Sequence, residues 1–80
     1  SKTNEFVAKQ ECLGIELSRG DASILVRAKL PVKVEIFHID GRLIQKCTQK
    51  RLHVIPITFR SPIVIKAYNS ECVVSQIYIP

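Results

Sequence analysis

The feature that most constrains this sequence is the pair Asp40-Gly41, which separates two runs rich in β-branched and apolar residues, 32–39 and 42–47. Asp-Gly readily adopts the positive φ angles of a tight two-residue turn, whose twist matches that of the flanking strands. In both runs apolar and polar side chains tend to alternate, which is typical of half-buried strands. The stretch therefore predicts an antiparallel β-hairpin with its tip at Asp40-Gly41.

A two-residue turn also fixes the register of this hairpin. The predicted cross-strand pairs are Val34–Cys47, Glu35–Lys46, Ile36–Gln45, Phe37–Ile44, His38–Leu43 and Ile39–Arg42. One face then joins Val32, Val34 and Ile36 to Leu43 and Cys47, and we expect that face to be in the core. A slip of one residue would turn every side chain to the opposite face. A three-residue turn with Gly41 in a bulge is the competing geometry.

The rest of the chain is punctuated by turn signals about every 8–12 residues, which is the pattern of all-β proteins. Ile, Val and Leu carry the apolar content, with no Trp and no Met, and β-branched residues favour strands. No stretch keeps helical apolar spacing for three turns. We therefore predict an all-β fold, an immunoglobulin-like antiparallel β-sandwich of about seven short strands.

Two further positions refine this prediction. Asn69-Ser70 is expected to form a second turn, pairing Ala67 with Cys72 and Ile65 with Val74. Pro56 cannot donate to a ladder, so its segment should be an edge strand or bend there. The side chains expected to be buried are Val34, Ile36, Leu43, Ile65 and Val74.

Length and hydropathy define the domain organisation. Eighty residues suit one small domain, and we assign residues 1–10 to a linker and 11–80 to the folded domain. No apolar run approaches the roughly 18 residues that a membrane-spanning helix needs, so no transmembrane segment is predicted. The polar start also lacks the apolar region of a signal peptide.

The charged residues and cysteines favour neither a nucleic-acid site nor a metal site. The net charge is +5, and its densest run holds Lys46, Lys50 and Arg51. That run lacks the stacking aromatics of nucleic-acid modules, so a solvated basic loop is expected. The three cysteines form no C-x-x-C, and the two histidines have no zinc-ligand spacing. We expect buried thiols, with one Cys–Cys bridge as the alternative.

Catalytic chemistry is not indicated either. Cys47 with His38 or His53 is the one conceivable nucleophile–base pair, and in the predicted hairpin Cys47 and His38 lie two cross-strand pairs apart. Glu35 is expected to pair with Lys46, and Asp40 is expected to have a structural role in the hairpin turn. Three glycines form no phosphate-binding loop. The prediction is a protein that is not an enzyme, with no catalytic residues and no cofactor.

The hairpin and the later strands together resemble a known family, the C-terminal domains of type IX secretion system cargo in Bacteroidetes. That family has a strand of the kind V-x-I-Y-D-x-x-G-R-L-V, then one like G-x-Y-I-V-K-V, and then a final apolar strand. The first motif is matched by Val34, Ile36, Asp40, Gly41, Arg42, Leu43 and Ile44. The later two are matched by Ile63, Val64, Ile65, Lys66 and Ala67, and by Val73, Val74, Ile77 and Ile79.

The resemblance implies a function in protein export. It implies a non-catalytic sorting or anchoring domain that directs a parent protein through the periplasm to the cell surface or outside the cell. The implied partners are the outer-membrane translocon, a sortase-like cysteine peptidase at the cell surface and anionic lipopolysaccharide. The implied recognition residues are Asp40, Gly41, Arg42, Leu43, Ile77, Tyr78, Ile79 and Pro80. The alternative is a generic immunoglobulin-like interaction or spacer module without an export role.

Overall fold

The computed structural model of the chain describes residues 14–71 and 73–80. This part of the chain contains five strands and no helix, hence no helix that could cross a membrane. The strands are β1 (Ile15–Arg19), β2 (Ser23–His38), β3 (Leu43–Pro56), β4 (Ile63–Tyr68) and β5 (Val73–Tyr78). All their pairings are antiparallel. The all-β prediction is thus confirmed, while the predicted linker, residues 1–10, lies outside the described residues.

Five strands replace the predicted seven because β2 and β3 each contain two of the predicted segments. Pro31 cannot donate to a ladder, yet β2 continues through it. Along one edge of β2, Pro31 lies between the last pair with β1, at Ala28, and the first pair with β4, at Lys33. Along the other edge the register with β3 shifts between Arg27 and Val32. Proline is tolerated there because the missing N–H falls at a break in the ladders.

The sheet curls around this break. The first half of β2 lies between β1 and the end of β3, and its second half lies between β4 and the start of β3. Strand β5 follows β4 at the outer edge. The two halves contact each other at Arg19 of β1 and Tyr78 of β5. The guanidinium carbon Cζ of Arg19 lies 5.1 Å from the centroid of the Tyr78 ring. Pro56 ends β3, which among the described strands pairs with β2 alone, so the prediction of an edge strand at Pro56 is confirmed.

One core lies between the halves of the curled sheet. Alternate residues of β1, β2, β4 and β5 and of the end of β3 point into it, as the period of two in a strand requires. Its buried apolar members are Ile15, Leu17, Ile24, Val26, Ala28, Val32, Val34, Ile36, Ile55, Ile63, Ile65, Ala67, Val74 and Tyr78. The predicted burial of Val34, Ile36, Ile65 and Val74 is confirmed. The predicted burial of Leu43 is wrong, because 51% of this residue is exposed.

His53 is the buried polar residue of this core, 3% exposed. Its Nε2 donates a hydrogen bond to the carbonyl oxygen of Val32 at 2.8 Å. Val32 lies at the register shift of β2, where the regular ladder is interrupted. Since a buried carbonyl without a donor is costly, His53 stabilises the bend by supplying one.

The second turn also differs from its prediction. Ala67 pairs with Val74, and Ile65 pairs with Gln76, so the expected pairing of Ile65 with Val74 is wrong. The connection is longer than two residues because Asn69 Oδ1 accepts a hydrogen bond from the Glu71 N–H at 2.8 Å and forms an Asx turn. The predicted partner of Ala67, Cys72, lies outside the described residues.

The turn at the tip of the β2–β3 hairpin requires glycine at position 41. Gly41 has φ +100°, and its N–H donates to the His38 carbonyl at 2.9 Å. We expect Gly41→Ala to lower the free energy of unfolding by about 1 kcal/mol, since alanine is strained at this φ. Denaturant unfolding followed by circular dichroism measures the loss. Gly20→Ala is the control, because Gly20 lacks a positive φ and its added Cβ would lie 3.5 Å from the nearest atom; equal losses would contradict the argument.

Candidate functional site

The hairpin tip is built by a three-residue turn, Ile39 to Gly41. His38 N–H donates to the Arg42 carbonyl at 2.8 Å, so His38 faces Arg42 across the turn. The predicted two-residue turn, with Ile39 opposite Arg42, is therefore wrong, and the competing geometry is found. The sequence Asp-Gly also suits this geometry, which is a type I turn followed by a glycine at positive φ.

Asp40 and Arg42 interact within the turn. Asp40 Oδ1 accepts the Arg42 backbone N–H at 3.0 Å, and Asp40 Oδ2 accepts the Arg42 Nε–H at 3.1 Å. The backbone hydrogen bond, with help from the guanidinium, holds the pKa of Asp40 below its usual value. Both side chains remain in solvent, with 73% of Arg42 and 58% of Asp40 exposed. The turn thus presents an oriented guanidinium outside the sheet.

A bulge in β3 explains why Leu43 lies outside the core. The predicted pairs Val34–Cys47, Glu35–Lys46 and Ile36–Gln45 are confirmed, but Phe37 pairs with Leu43 instead of Ile44. Ile44 is the extra residue on β3, and beyond it every side chain changes face. Leu43 consequently lies beside Phe37 on the outer face of the sheet.

The other predicted recognition residues form the end of the chain. Ile77 and Ile79 are 40% and 45% exposed, and Pro80 is exposed. Tyr78 is only 2% exposed, since it points into the core and lies against Arg19. Three of these four residues are thus available on the surface, whereas Tyr78 supports the fold.

The structure brings both predicted segments to the same end of the sheet. His38 pairs with Ile63, and Ile63 pairs with Tyr78, so these three residues form one row across β2, β4 and β5. The hairpin tip begins immediately after His38, and the chain end begins immediately after Tyr78. Because neighbouring strands are about 4.8 Å apart, β2 and β5 are separated by about 10 Å.

An apolar row connects these two segments on the outer face of the sheet. Leu43 pairs with Phe37, Phe37 with Val64, and Val64 with Ile77, so the row crosses β3, β2, β4 and β5. Leu43 and Ile77 are exposed, and Phe37 and Val64 are half-buried. We call these four residues the outer stripe. Phe37 and Val64 were not among the predicted site residues, although their position on the strand face opposite the buried residues could have identified them.

A polar row borders the outer stripe. Glu35 pairs with Lys46 on one side and with Lys66 on the other. Glu35 Oε2 also accepts a hydrogen bond from the Tyr68 hydroxyl at 2.8 Å, which raises the pKa of Tyr68 above its usual value. Lys66 Nζ lies 5.0 Å from the centroid of the Tyr68 ring. This row of polar side chains forms the boundary of the outer stripe on the side away from the hairpin tip.

Groups with catalytic or metal-binding potential are separated in the fold. Cys47 is a free thiol that pairs with Val34 and packs against the core. Its partner Val34 and His38 are four residues apart on β2, so Cys47 and His38 are separated along the sheet. His53 lies in the core with its Nε2 bonded to Val32. Among residues 14–71 and 73–80, no three His, Cys, Asp or Glu side chains are grouped so that they could hold a metal ion. The candidate bridge involving Cys12 or Cys72 lies outside the described residues.

The surface that gathers most of the predicted recognition residues is therefore the end of the sheet formed by the hairpin tip, the outer stripe and the chain end. Comparison of this chain with models of known protein families, with curated proteins and with solved structures found no match.

Proposed function

We propose that this chain is a non-catalytic sorting or anchoring domain that the type IX secretion machinery recognises. It would direct a parent protein across the outer membrane to the cell surface. The observation that carries the proposal is the position of the two segments of the resemblance. Although about 35 residues apart in sequence, the hairpin tip and the chain end lie at one end of the sheet and are exposed.

The chemistry of this end suits recognition by another protein. It offers apolar side chains on a rigid sheet, from Leu43 to Ile79, next to the guanidinium of Arg42. Apolar anchors supply affinity when they are desolvated, and an arginine in a fixed orientation can form a bidentate pair with a carboxylate. A translocon subunit with an apolar groove and an acidic residue at its rim would fit both.

We also propose a more specific fold for the curled sheet. β2 and β3 each bend and each supply strands to both halves of the sheet, so the five strands provide seven strand segments. We assign the curled sheet to the immunoglobulin-like sandwiches on this basis. The proposed partners are the outer-membrane translocon and the surface cysteine peptidase, with anionic lipopolysaccharide as a third that the net charge of +5 would attract.

A spacer module without an export role is the second candidate. The local structure of the turn favours it, because each motif residue has a structural reason within the turn itself. Asp40 accepts two hydrogen bonds from Arg42, and Gly41 supplies the positive φ. A turn selected only for folding would contain the same residues.

Arg42 distinguishes the two candidates. We expect Arg42→Ala to leave the melting temperature nearly unchanged, because exposed ion pairs contribute about 0–1 kcal/mol. Export of a reporter that carries this chain at its C-terminus should nevertheless fall strongly in a Bacteroidetes host with an active type IX system. Surface and periplasmic fractions would be quantified per folded molecule.

The matched control is Arg51→Ala, which removes an exposed cation of β3 at the bend of the sheet, away from the tip. Export should be unchanged in this variant. A clear loss of stability in Arg42→Ala, with normal export of the molecules that fold, would assign Arg42 to the turn alone and favour the spacer.

A further inference from the structure

The outer face of the sheet carries a polar pocket of about 320 Å³ at the end away from the hairpin tip. The residues that line it are Lys33, Gln49, Tyr68, Asn69 and Ser70. Lys33 pairs with Tyr68, five residues along β2 from the row of His38, where the hairpin tip begins. Because each residue of a strand advances about 3.4 Å, the pocket lies about 17 Å from the tip.

A bulge in β3 forms one wall of this pocket. Between two pairs of the hairpin, two residues of β3, Thr48 and Gln49, lie opposite the single residue Lys33 of β2. A bulge re-aims a side chain, and bulges are frequent next to active sites. Here the bulge brings Gln49 beside Lys33 in the lining of the pocket.

Tyr68 supplies an aromatic ring in a fixed orientation. Its hydroxyl donates a hydrogen bond to Glu35 Oε2 at 2.8 Å, and Lys66 Nζ lies 5.0 Å from the centroid of its ring. These two contacts hold the side chain before any ligand arrives. A preorganised group loses less conformational entropy on binding, so the ring is suited to a ligand.

Three other lining side chains are available for polar contacts. Those of Lys33, Gln49 and Ser70 make no hydrogen bond or ion pair within residues 14–71 and 73–80. Asn69 differs, because its Oδ1 accepts the Glu71 N–H and forms the turn that closes the pocket. An ammonium, an amide and a hydroxyl thus face the pocket, and together they offer both donors and acceptors.

This combination of groups matches the parts of an acidic sugar. Sugar hydroxyls both donate and accept hydrogen bonds, as do amide and hydroxyl side chains. The C–H groups on one side of a pyranose ring form an apolar surface that packs on an aromatic ring. An ammonium pairs with a carboxylate in a charge-assisted hydrogen bond. The volume also lies within the range of small-molecule sites, about 300–1,000 Å³.

We propose that this pocket binds a saccharide that carries a carboxylate. Lys33 pairs with the carboxylate, the Tyr68 ring packs against the sugar ring, and Gln49 and Ser70 bind its hydroxyls. A simple anion would use Lys33 and leave the ring and the amide without a role. The inference goes beyond the export role and does not depend on it, since the pocket and the hairpin tip lie at opposite ends of β4.

The experiment is a titration of the 80-residue chain with a short oligomer of galacturonic acid, followed by the NMR chemical shifts of the backbone amides. The shifts should saturate and be largest at the lining residues. A neutral galactose oligomer of the same length lacks the carboxylate and should bind at least about tenfold more weakly.

Variants locate the site. Lys33→Gln should raise the Kd of the acidic oligomer at least about tenfold, because it removes the charge-assisted hydrogen bond. Lys50→Gln is the matched control, since it removes the same charge beside Gln49 from a residue outside the lining, and its Kd should be nearly unchanged. Tyr68→Leu should also weaken binding, whereas Tyr68→Phe keeps the ring and should bind nearly as well as the wild type.

Circular dichroism shows whether each variant is folded, and Lys33 is exposed, so the fold should tolerate its replacement. A wild-type chain that shows no saturable shifts overturns the proposal. Equal losses in Lys33→Gln and Lys50→Gln would show diffuse attraction by the net charge of +5 and overturn it too. Equal affinity for the acidic and neutral oligomers, or unchanged affinity in Tyr68→Leu, would also contradict it.

Discussion

Ile36→Ala should lower the free energy of unfolding by about 2–5 kcal/mol, the range for large-to-small changes in a packed core. Ile36 is completely buried and lies between Gln45 and Ile65 in the middle of the sheet. A chain of this size has a total stability of about 4–12 kcal/mol. The variant should therefore be partly unfolded at moderate temperature, as measured by denaturant unfolding with circular dichroism.

The matched control is Ile44→Ala, the same substitution on the bulge of the neighbouring strand. Ile44 is 37% exposed, and the loss should be about 1 kcal/mol or less. Similar losses for the two variants would show that the bulge is packed as tightly as the core, contrary to the register described above.

The hairpin shows how far the sequence determines the register. Three predicted pairs around Ile36 are correct, because a slip of one residue would place Lys46 on the face that buries Val34 and Ile36. The predicted two-residue turn is wrong and the competing three-residue turn is found, since the sequence Asp-Gly is compatible with both. One extra residue, Ile44, makes the difference, and its effect is to move Leu43 from the expected core to the outer stripe.

The number of strands was missed for a related reason. Pro31 reads as the end of a strand because it cannot donate to a ladder. Whether the strand continues depends on where its neighbours stop, and those neighbours come from distant parts of the chain. The pairs of β1 and β4 leave a gap at Pro31, and His53 supplies the donor for Val32 beside it. Tertiary structure, and not the local sequence, therefore determines whether the strand continues through Pro31.

The candidate site was predicted in its parts but not in its arrangement. The exposure of Asp40 and Arg42 follows from turn chemistry, whereas strand alternation alone does not determine whether Ile77 or its neighbours face the core. Their common location follows from the order β2-β4-β5, in which β4 joins the hairpin to the last strand. That order is a long-range property, so the outer stripe became visible only in the structure.

The largest functional effect is expected from the end of the chain. The test uses a reporter that carries this chain at its C-terminus. Deleting Ile79 and Pro80 should reduce surface delivery of this reporter to background and leave folded protein in the periplasm. Both residues lie beyond β5 and are exposed, so the deletion removes part of the proposed recognition surface and no member of the core. Cell fractionation with surface proteolysis measures delivery, and thermal unfolding of the isolated chain should be nearly unchanged.

A longer deletion, from Ile77 to Pro80, separates folding from recognition. It removes Tyr78, which is 2% exposed and packs with Arg19 between the halves of the sheet. Removing a buried aromatic side chain costs about 3–5 kcal/mol, so this variant should be unstable whether or not the chain carries an export signal. Loss of delivery in the longer deletion alone would therefore indicate a folding defect. Normal delivery after the two-residue deletion would contradict recognition of the chain end, and would leave the spacer module as the better account.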